Sequence, residues 1–86
     1  MRNKTASSLD YSTDAEPGIS RHIEGDETFY RGADGKRIRS TKMLARIGAL
    51  VIPPAWTQVW ICPNPQGHLQ ATGKDSRGRK QYRYHA

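Results

Sequence analysis

The 86-residue sequence predicts a small α+β domain, in which one helix packs on an antiparallel sheet, a meander of about five strands. Two observations predict this fold. Apolar side chains recur every three or four positions between residues 40 and 51, which is typical of a helix. On both sides of that segment, β-prone runs alternate with turns rich in Gly, Asp, Asn and Pro, which indicates strands joined by hairpins. A chain of this length forms one domain.

Two or three short strands are predicted over residues 19–39, before the helix. Residues 28–31 (TFYR) are β-prone, and the turn GADG at residues 32–35 precedes another short run, residues 36–39. Gly25 and Asp26 are expected to turn the chain ahead of residues 28–31. These runs therefore predict hairpins.

The helix is predicted over residues 40–50. Ser40 or Thr41 can cap its first turn. Its apolar stripe consists of Met43, Leu44, Ile47, Leu50 and Val51. The pair Pro53 and Pro54 is expected to end it, because proline lacks an amide hydrogen and restricts the residue before it.

Three more strands are predicted after the helix, over residues 58–62, 68–72 and 79–85. The turns between them fall at residues 63–67 and 75–78, so the three strands form an antiparallel meander. Trp56, Trp60 and Cys62 are expected to contribute to the core. Residues 1–18 are polar and show no apolar period, so we expect a flexible tail there and a folded domain over residues 19–86.

The formal net charge of +6 favours a polyanionic partner, nucleic acid first and an acidic membrane surface second. The alternative is a basic surface that only aids solubility. Residues 28–46 hold six basic side chains and residues 74–86 hold five, whereas residues 47–73 hold no Lys, Arg, Asp or Glu. No apolar run is long enough to span a membrane, and a membrane is not among the expected partners. With a single cysteine and no internal disulfide, we expect a reducing, cytoplasmic location.

The end of the chain carries the candidate nucleic-acid-binding residues, which are Lys74, Arg77, Arg79, Lys80, Gln81, Tyr82, Arg83 and Tyr84. The basic side chains can neutralise phosphates, glutamine can pair with an adenine edge, and tyrosine can stack or donate to phosphate.

Strand alternation places Gln81 and Arg83 on one face, with Arg79 and His85, and places Tyr82 and Tyr84 on the other, with Lys80. One arrangement packs the tyrosines on the helix and presents Arg and Gln to a ligand. The plainer alternatives are tyrosines that serve only the core and a solvated Arg and Gln face.

The sequence offers little for catalysis or metal binding. Cys62 and the three histidines lack the paired spacing of a structural zinc site, and no phosphate-loop pattern is present. We therefore expect no metal, no small-molecule cofactor and no catalytic residue in this chain. Tyr82 and Tyr84 lie near arginines, but a tyrosine nucleophile needs several donors gripping the scissile phosphate, so neither is assigned that role.

Three segments resemble the type IB DNA topoisomerases of the bacterial, poxvirus-like group. They are residues 30–36 (YRGADGK), 51–61 (VIPPAWTQVWI) and 73–85 (GKDSRGRKQYRYH), within a match over residues 19–86. The resemblance implies a two-domain enzyme that closes as a clamp around duplex DNA. The N-terminal domain of that enzyme lies over the major groove. Its C-terminal domain cuts one strand through a phosphotyrosine intermediate, lets supercoils relax and reseals the strand.

For individual residues, the resemblance implies base-edge contact at Gln81 and backbone contact at Arg77, Arg79, Tyr82 and Tyr84. It also implies that the catalytic residues lie in the C-terminal domain, which this chain lacks. The expected partners are duplex DNA and that catalytic domain, and the expected location is the cytoplasm, on the nucleoid. One alternative from the residues themselves is a stand-alone module for single-stranded nucleic acid or RNA. Another is a domain that only docks on its own C-terminal partner.

Overall fold

The computed structural model describes residues 9–86, and within them it confirms a small α+β fold with a five-stranded antiparallel sheet and one helix. The elements are β1 (Ile19–Glu24), β2 (Glu27–Arg31), α1 (Thr41–Ala49), β3 (Thr57–Ile61), β4 (Leu69–Lys74) and β5 (Lys80–Tyr84). The strand order is β2-β1-β3-β4-β5. No helix in the described part of the chain is long and apolar enough to cross a membrane.

Helix α1 begins and ends where its local sequence predicts. The Ser40 side chain accepts a hydrogen bond from the Met43 amide at 3.2 Å, which satisfies one free donor of the first turn. At the other end, the Leu50 amide donates to the Ile47 carbonyl at 3.1 Å, and Pro53 and Pro54 follow. The helix therefore has a defined length and turns one apolar face towards the sheet.

The core lies between α1 and one side of the sheet, which we call the helix face. Ile47 of the helix packs in a cluster with Ile19, Ile61 and Ala71, which are neighbours across β1, β3 and β4. Burial of these side chains supplies the main apolar driving force of the fold. Gly73 of β4 lies against Trp56, where a Cβ atom would come within 2.7 Å of the indole ring.

The opposite side of the sheet, which we call the open face, carries a different row of residues. Ser20, Trp60, Thr72 and Tyr82 are register partners across β1, β3, β4 and β5. Because paired residues of neighbouring strands point to the same side, these four residues share the open face. No helix covers that face among residues 9–86.

Within the segment for which a flexible tail is predicted, residues 1–18, residues 10–16 form a strap bonded across the open face. Asp10 pairs with Gly67 in a parallel bridge, and the buried Ser12 hydroxyl bonds to the Leu69 carbonyl at 2.9 Å and the Leu69 amide at 3.0 Å. Further along, the Glu16 carbonyl accepts from the Trp60 indole at 2.9 Å. The strap is ordered because its polar groups satisfy backbone and side-chain groups of the sheet. Residues 1–8 lie outside the described residues.

Two strands, β1 and β2, form where two or three are predicted over residues 19–39, and the run over residues 36–39 does not make a third. The segment is joined to β2 by a bridge between Arg31 and Arg37 and by a 2.8 Å bond from the Ile38 amide to the Tyr30 carbonyl, and its Lys36 carbonyl accepts from the Gly32 amide at 2.9 Å. The chain has to leave the sheet here because Ser40 already caps the helix.

The core position of Ile61 gives a stability prediction. Ile61 is fully buried, so Ile61→Val removes one buried methyl group and should lower the free energy of unfolding by about 0.5–1.5 kcal/mol. The matched control is Ile23→Val, because Ile23 is 61% exposed and its change should stay within about 0.5 kcal/mol. Urea unfolding followed by circular dichroism measures both, and equal effects would contradict this core assignment.

Candidate nucleic-acid interface

The turn between β4 and β5 is organised by a single carboxylate, Asp75. One oxygen, Oδ1, accepts hydrogen bonds from the amides of Arg77 and Arg79, each at 2.9 Å. The other, Oδ2, accepts from Arg79 Nε at 3.0 Å and from Gln81 Nε2 at 2.9 Å. Gly78 has a φ of 77°, a backbone conformation that favours glycine. The turn is therefore fixed, although most of its residues are exposed.

These bonds lower the pKa of Asp75 to about 2, and the largest cause is the hydrogen bond from the Arg79 amide. The carboxylate is therefore ionised throughout the physiological range. It holds Arg79 and Gln81 against the turn, while the Lys74 and Arg77 side chains are exposed at the same tip. We call residues 74–79 the hairpin tip.

On the open face, β5 presents one cation and two aromatic rings. Tyr82 is 48% exposed and Tyr84 is 60% exposed, and their rings stack with centroids 6.1 Å apart. The Lys80 ammonium lies 5.5 Å from the centre of the Tyr82 ring. Exposed tyrosines beside a lysine provide both stacking surface and donors for phosphate oxygens.

Lys80 is also bound by the strap. Its ammonium forms an ion pair with Asp14 at 2.5 Å, and the other contact of that carboxylate is the Thr72 hydroxyl at 3.1 Å. The bond to Lys80 lowers the pKa of Asp14, and the same bond raises the pKa of Lys80. A cavity of about 230 Å³ opens between the strap and the sheet here, and Lys74 also lines it. Two lysines and one carboxylate therefore share this part of the open face.

Gln81 and Arg83 lie on the helix side of β5, so the arrangement in which the tyrosines pack on the helix does not form. Arg83 pairs with Ala71 in the register, donates to the Val51 carbonyl at 2.8 Å and lies 5.8 Å from the Trp56 ring. Both Gln81 and Arg83 are half-buried. Because residues 51 and 56 hold Arg83 on the helix side, strand alternation turns Tyr82 and Tyr84 to the open face.

The eight predicted residues therefore form three groups at one edge of the sheet. Lys74, Arg77 and Arg79 occupy the hairpin tip; Lys80, Tyr82 and Tyr84 lie on the open face; and Gln81 and Arg83 lie on the helix side. Since β5 is an edge strand, one ligand that wraps the edge can reach all three groups.

The sequence reasoning missed two carboxylates and one aromatic pair at this edge. Asp75 has a recognisable signal, because the side chain of an Asp in a turn commonly accepts a hydrogen bond from the backbone amide two residues later. Asp14, Tyr11 and His68 have no local signal, since they meet the interface only through contacts between the strap and the sheet. In residues 9–86 no group of three His, Cys, Asp or Glu side chains is placed to hold a metal ion.

The sheet therefore has one face covered by the helix and a basic hairpin at its edge. The family model for the bacterial DNA topoisomerase IB N-terminal domain matches residues 28–75, more than half of the chain. The chain belongs to this family. The DNA topoisomerase 1B of Acanthamoeba polyphaga mimivirus is 49% identical over 67 residues. That match covers 78% of this chain and 20% of the viral protein, so the chain spans about a fifth of this relative's length.

The Asp75 carboxylate gives a pH prediction. Its pKa is depressed in the folded state, so its contribution to stability is present above the usual value of 3.8 and is lost as the pH falls through about 2. In an NMR titration, the amide shifts of Arg77 and Arg79 should follow a midpoint near pH 2. The Asp75→Asn variant is the control, because it should abolish that titration. A midpoint near 3.8 would contradict the hydrogen-bonded turn.

Proposed function

We propose that this chain is the DNA-binding N-terminal half of a type IB topoisomerase clamp, which lies over the major groove of duplex DNA. In the complete enzyme, a C-terminal domain would cleave and reseal one strand through a phosphotyrosine intermediate and so relax supercoils. The observation that carries the proposal is the exposed basic edge formed by the hairpin tip and β5, in a chain of the topoisomerase IB family. The partners are duplex DNA and the catalytic domain, and the site of action is the nucleoid.

The positions of the basic side chains suggest their roles. Lys74 and Arg77 are exposed at the hairpin tip, so they are assigned to phosphates, which position the domain without reading sequence. Arg79 is held by Asp75 through its Nε atom, and its side chain is still 64% exposed, so it also suits a phosphate. Lys80 reaches a phosphate by exchanging its ion pair with Asp14.

Gln81 is assigned to the base edges, and this role requires it to give up a hydrogen bond within the domain. Its Nε2 atom donates to Asp75, whereas bidentate pairing with adenine needs both the amide nitrogen and the amide oxygen. Gln81 must therefore leave Asp75 to read a base. On the opposite side of β5, the open face, Tyr82 and Tyr84 donate to the DNA backbone or pack over it, and Arg83 supports the strand from the same side as Gln81.

A second candidate function is favoured by the exposed tyrosine pair. Tyr82 and Tyr84 present ring faces on which the bases of a single strand can stack, and such stacking tolerates any sequence. A single-strand module would prefer single-stranded nucleic acid and would depend on both rings. The half-clamp prefers duplex and depends most on the cations of the hairpin tip.

The salt dependence of DNA binding tests the half-clamp. Contacts to about five phosphates give a slope of roughly −4 to −5 in a plot of log affinity against log salt concentration. Arg77→Gln should make the slope shallower by about 0.9 and weaken binding to all duplex sequences alike. The matched control is Lys42→Gln, because Lys42 is an exposed cation on α1. Fluorescence anisotropy with a short labelled duplex gives these values, and equal slopes for the two variants would contradict the interface.

Catalysis gives a separate prediction. The chain alone is expected not to relax supercoiled plasmid, with or without ATP or divalent metal, because among residues 9–86 no tyrosine is surrounded by a set of donors that could grip a scissile phosphate. Agarose gel electrophoresis of plasmid incubated with the chain provides the measurement. Loss of supercoils that increases with protein concentration would refute the assignment of catalysis to another domain.

A further inference from the structure

We infer that Tyr11 and His68 extend the DNA-contacting surface beyond β5, so that the strap itself contacts the duplex backbone. This inference rests on the proposed function. The surface in question is a row of four rings on the open face, formed by Tyr82, Tyr84, His68 and Tyr11, which we call the ring row. Two of its members come from segments that the sequence reasoning placed outside the interface.

The rings are close enough to form one continuous surface. The Tyr82 and Tyr84 centroids are 6.1 Å apart, those of Tyr84 and His68 are 5.8 Å apart, and those of His68 and Tyr11 are 5.3 Å apart. The planes of Tyr11 and His68 differ by 18°. The ring row therefore continues the aromatic surface of β5 across the end of β4 and onto the strap.

Tyr11 is held in position although its side chain gains little burial. It is 82% exposed, yet the residues on both sides of it are bonded to residues 66–69, at the start of β4 and in the turn before it. The Asp10 amide donates to the Gln66 carbonyl at 2.8 Å, and the Ser12 hydroxyl bonds to both backbone groups of Leu69. A ring that is fixed but exposed does not serve the core, and exposed aromatic groups that lie together are typical of a binding surface.

His68 adds a hydrogen-bond donor to the row. Its Nδ1 atom accepts from the Ser12 amide at 3.4 Å, so the neutral ring carries its hydrogen on Nε2. The backbone of His68 also links the strap to the segment after β5, because its amide donates to the Asp10 carbonyl and its carbonyl accepts from the His85 amide, each at 2.8 Å. The tyrosine hydroxyls and this N–H group are all donors that suit phosphate oxygens.

Charge favours DNA as the occupant of this surface. The row begins at Tyr82, beside Lys80, which pairs in register with Lys74. The three carboxylates of the strap are each engaged by a donor: Asp14 by Lys80, Asp10 by the Asn64 side-chain amide at 2.7 Å and Glu16 by the Thr13 backbone amide at 3.4 Å. The row is therefore continuous with the basic edge, and its own groups are donors, as a polyanion requires.

The test compares duplex affinities of four variants by fluorescence anisotropy at about 50 mM salt, where phosphate contacts are strong. Tyr11→Ala should raise Kd about threefold to tenfold, the effect of losing one hydrogen bond with its ring contact. Tyr11→Phe keeps the ring stack, so it should raise Kd only by the part that is due to the hydroxyl. The control is Ile23→Ala, an exposed apolar residue on the other side of the sheet, which should leave Kd unchanged. Tyr82→Ala reports on the proposed β5 interface.

The outcomes separate the two proposals. If the parent chain does not bind duplex, the proposed function fails. If the parent binds and Tyr82→Ala weakens binding, but both Tyr11 variants match Ile23→Ala, the inference fails and the proposed function stands. That second outcome is also expected if the ring row docks a protein surface instead of DNA. Unchanged amide shifts of Ser12 and Leu69 in Tyr11→Phe verify that the strap is intact.

Discussion

Strand β4 is buried on both faces, and the layout of the interface depends on this constraint. All of its residues except Lys74 are buried, which no other strand of the sheet approaches. Helix α1 and Trp56 cover Ala71 and Gly73 on the helix side, and the strap covers Leu69 and Thr72 on the other. A small domain with one helix has too little material to cover both faces of the whole sheet. It covers β4 on both sides and leaves the open face of β5, beyond β4, exposed.

Carboxylates position the cations of this edge. Asp75 holds the hairpin tip in shape and ties back Arg79 and Gln81, and Asp14 holds Lys80 over the sheet. The bonds to Gln81 and Lys80 are made to groups that the proposed function gives to DNA, so binding has to exchange these two bonds for bonds to base or phosphate. The exchange lowers the net free energy gained per contact. The bonds made before binding keep the long side chains ordered, so less ordering is needed when the ligand arrives.

The local sequence predicted the helix and the strands, whereas tertiary contacts determine which side of a strand faces the helix. The capping serine at position 40, the proline pair and the turns of residues 63–67 and 75–78 each act within a few residues, so the helix and the later strands could be placed from sequence. Alternation also showed that Gln81 and Tyr82 lie on opposite sides of β5. It could not show which side the helix occupies, because that depends on contacts between Arg83 and residues 51 and 56, far away in the chain. The strap escaped prediction for the same reason, since its order comes from bonds such as that between Ser12 and Leu69.

The most direct test of the account is an NMR titration of the labelled chain with a short duplex and, separately, with one of its strands at the same salt concentration. We expect larger shifts with the duplex, centred on the hairpin tip and on the open face of β5, with the apolar face of α1 unaffected. Stronger shifts with the single strand, centred on the tyrosine rings, would contradict the half-clamp. Shifts confined to α1 would place the ligand on the helix face of the sheet and would also contradict the account. No shift with either ligand would remove nucleic acid as the partner of this chain.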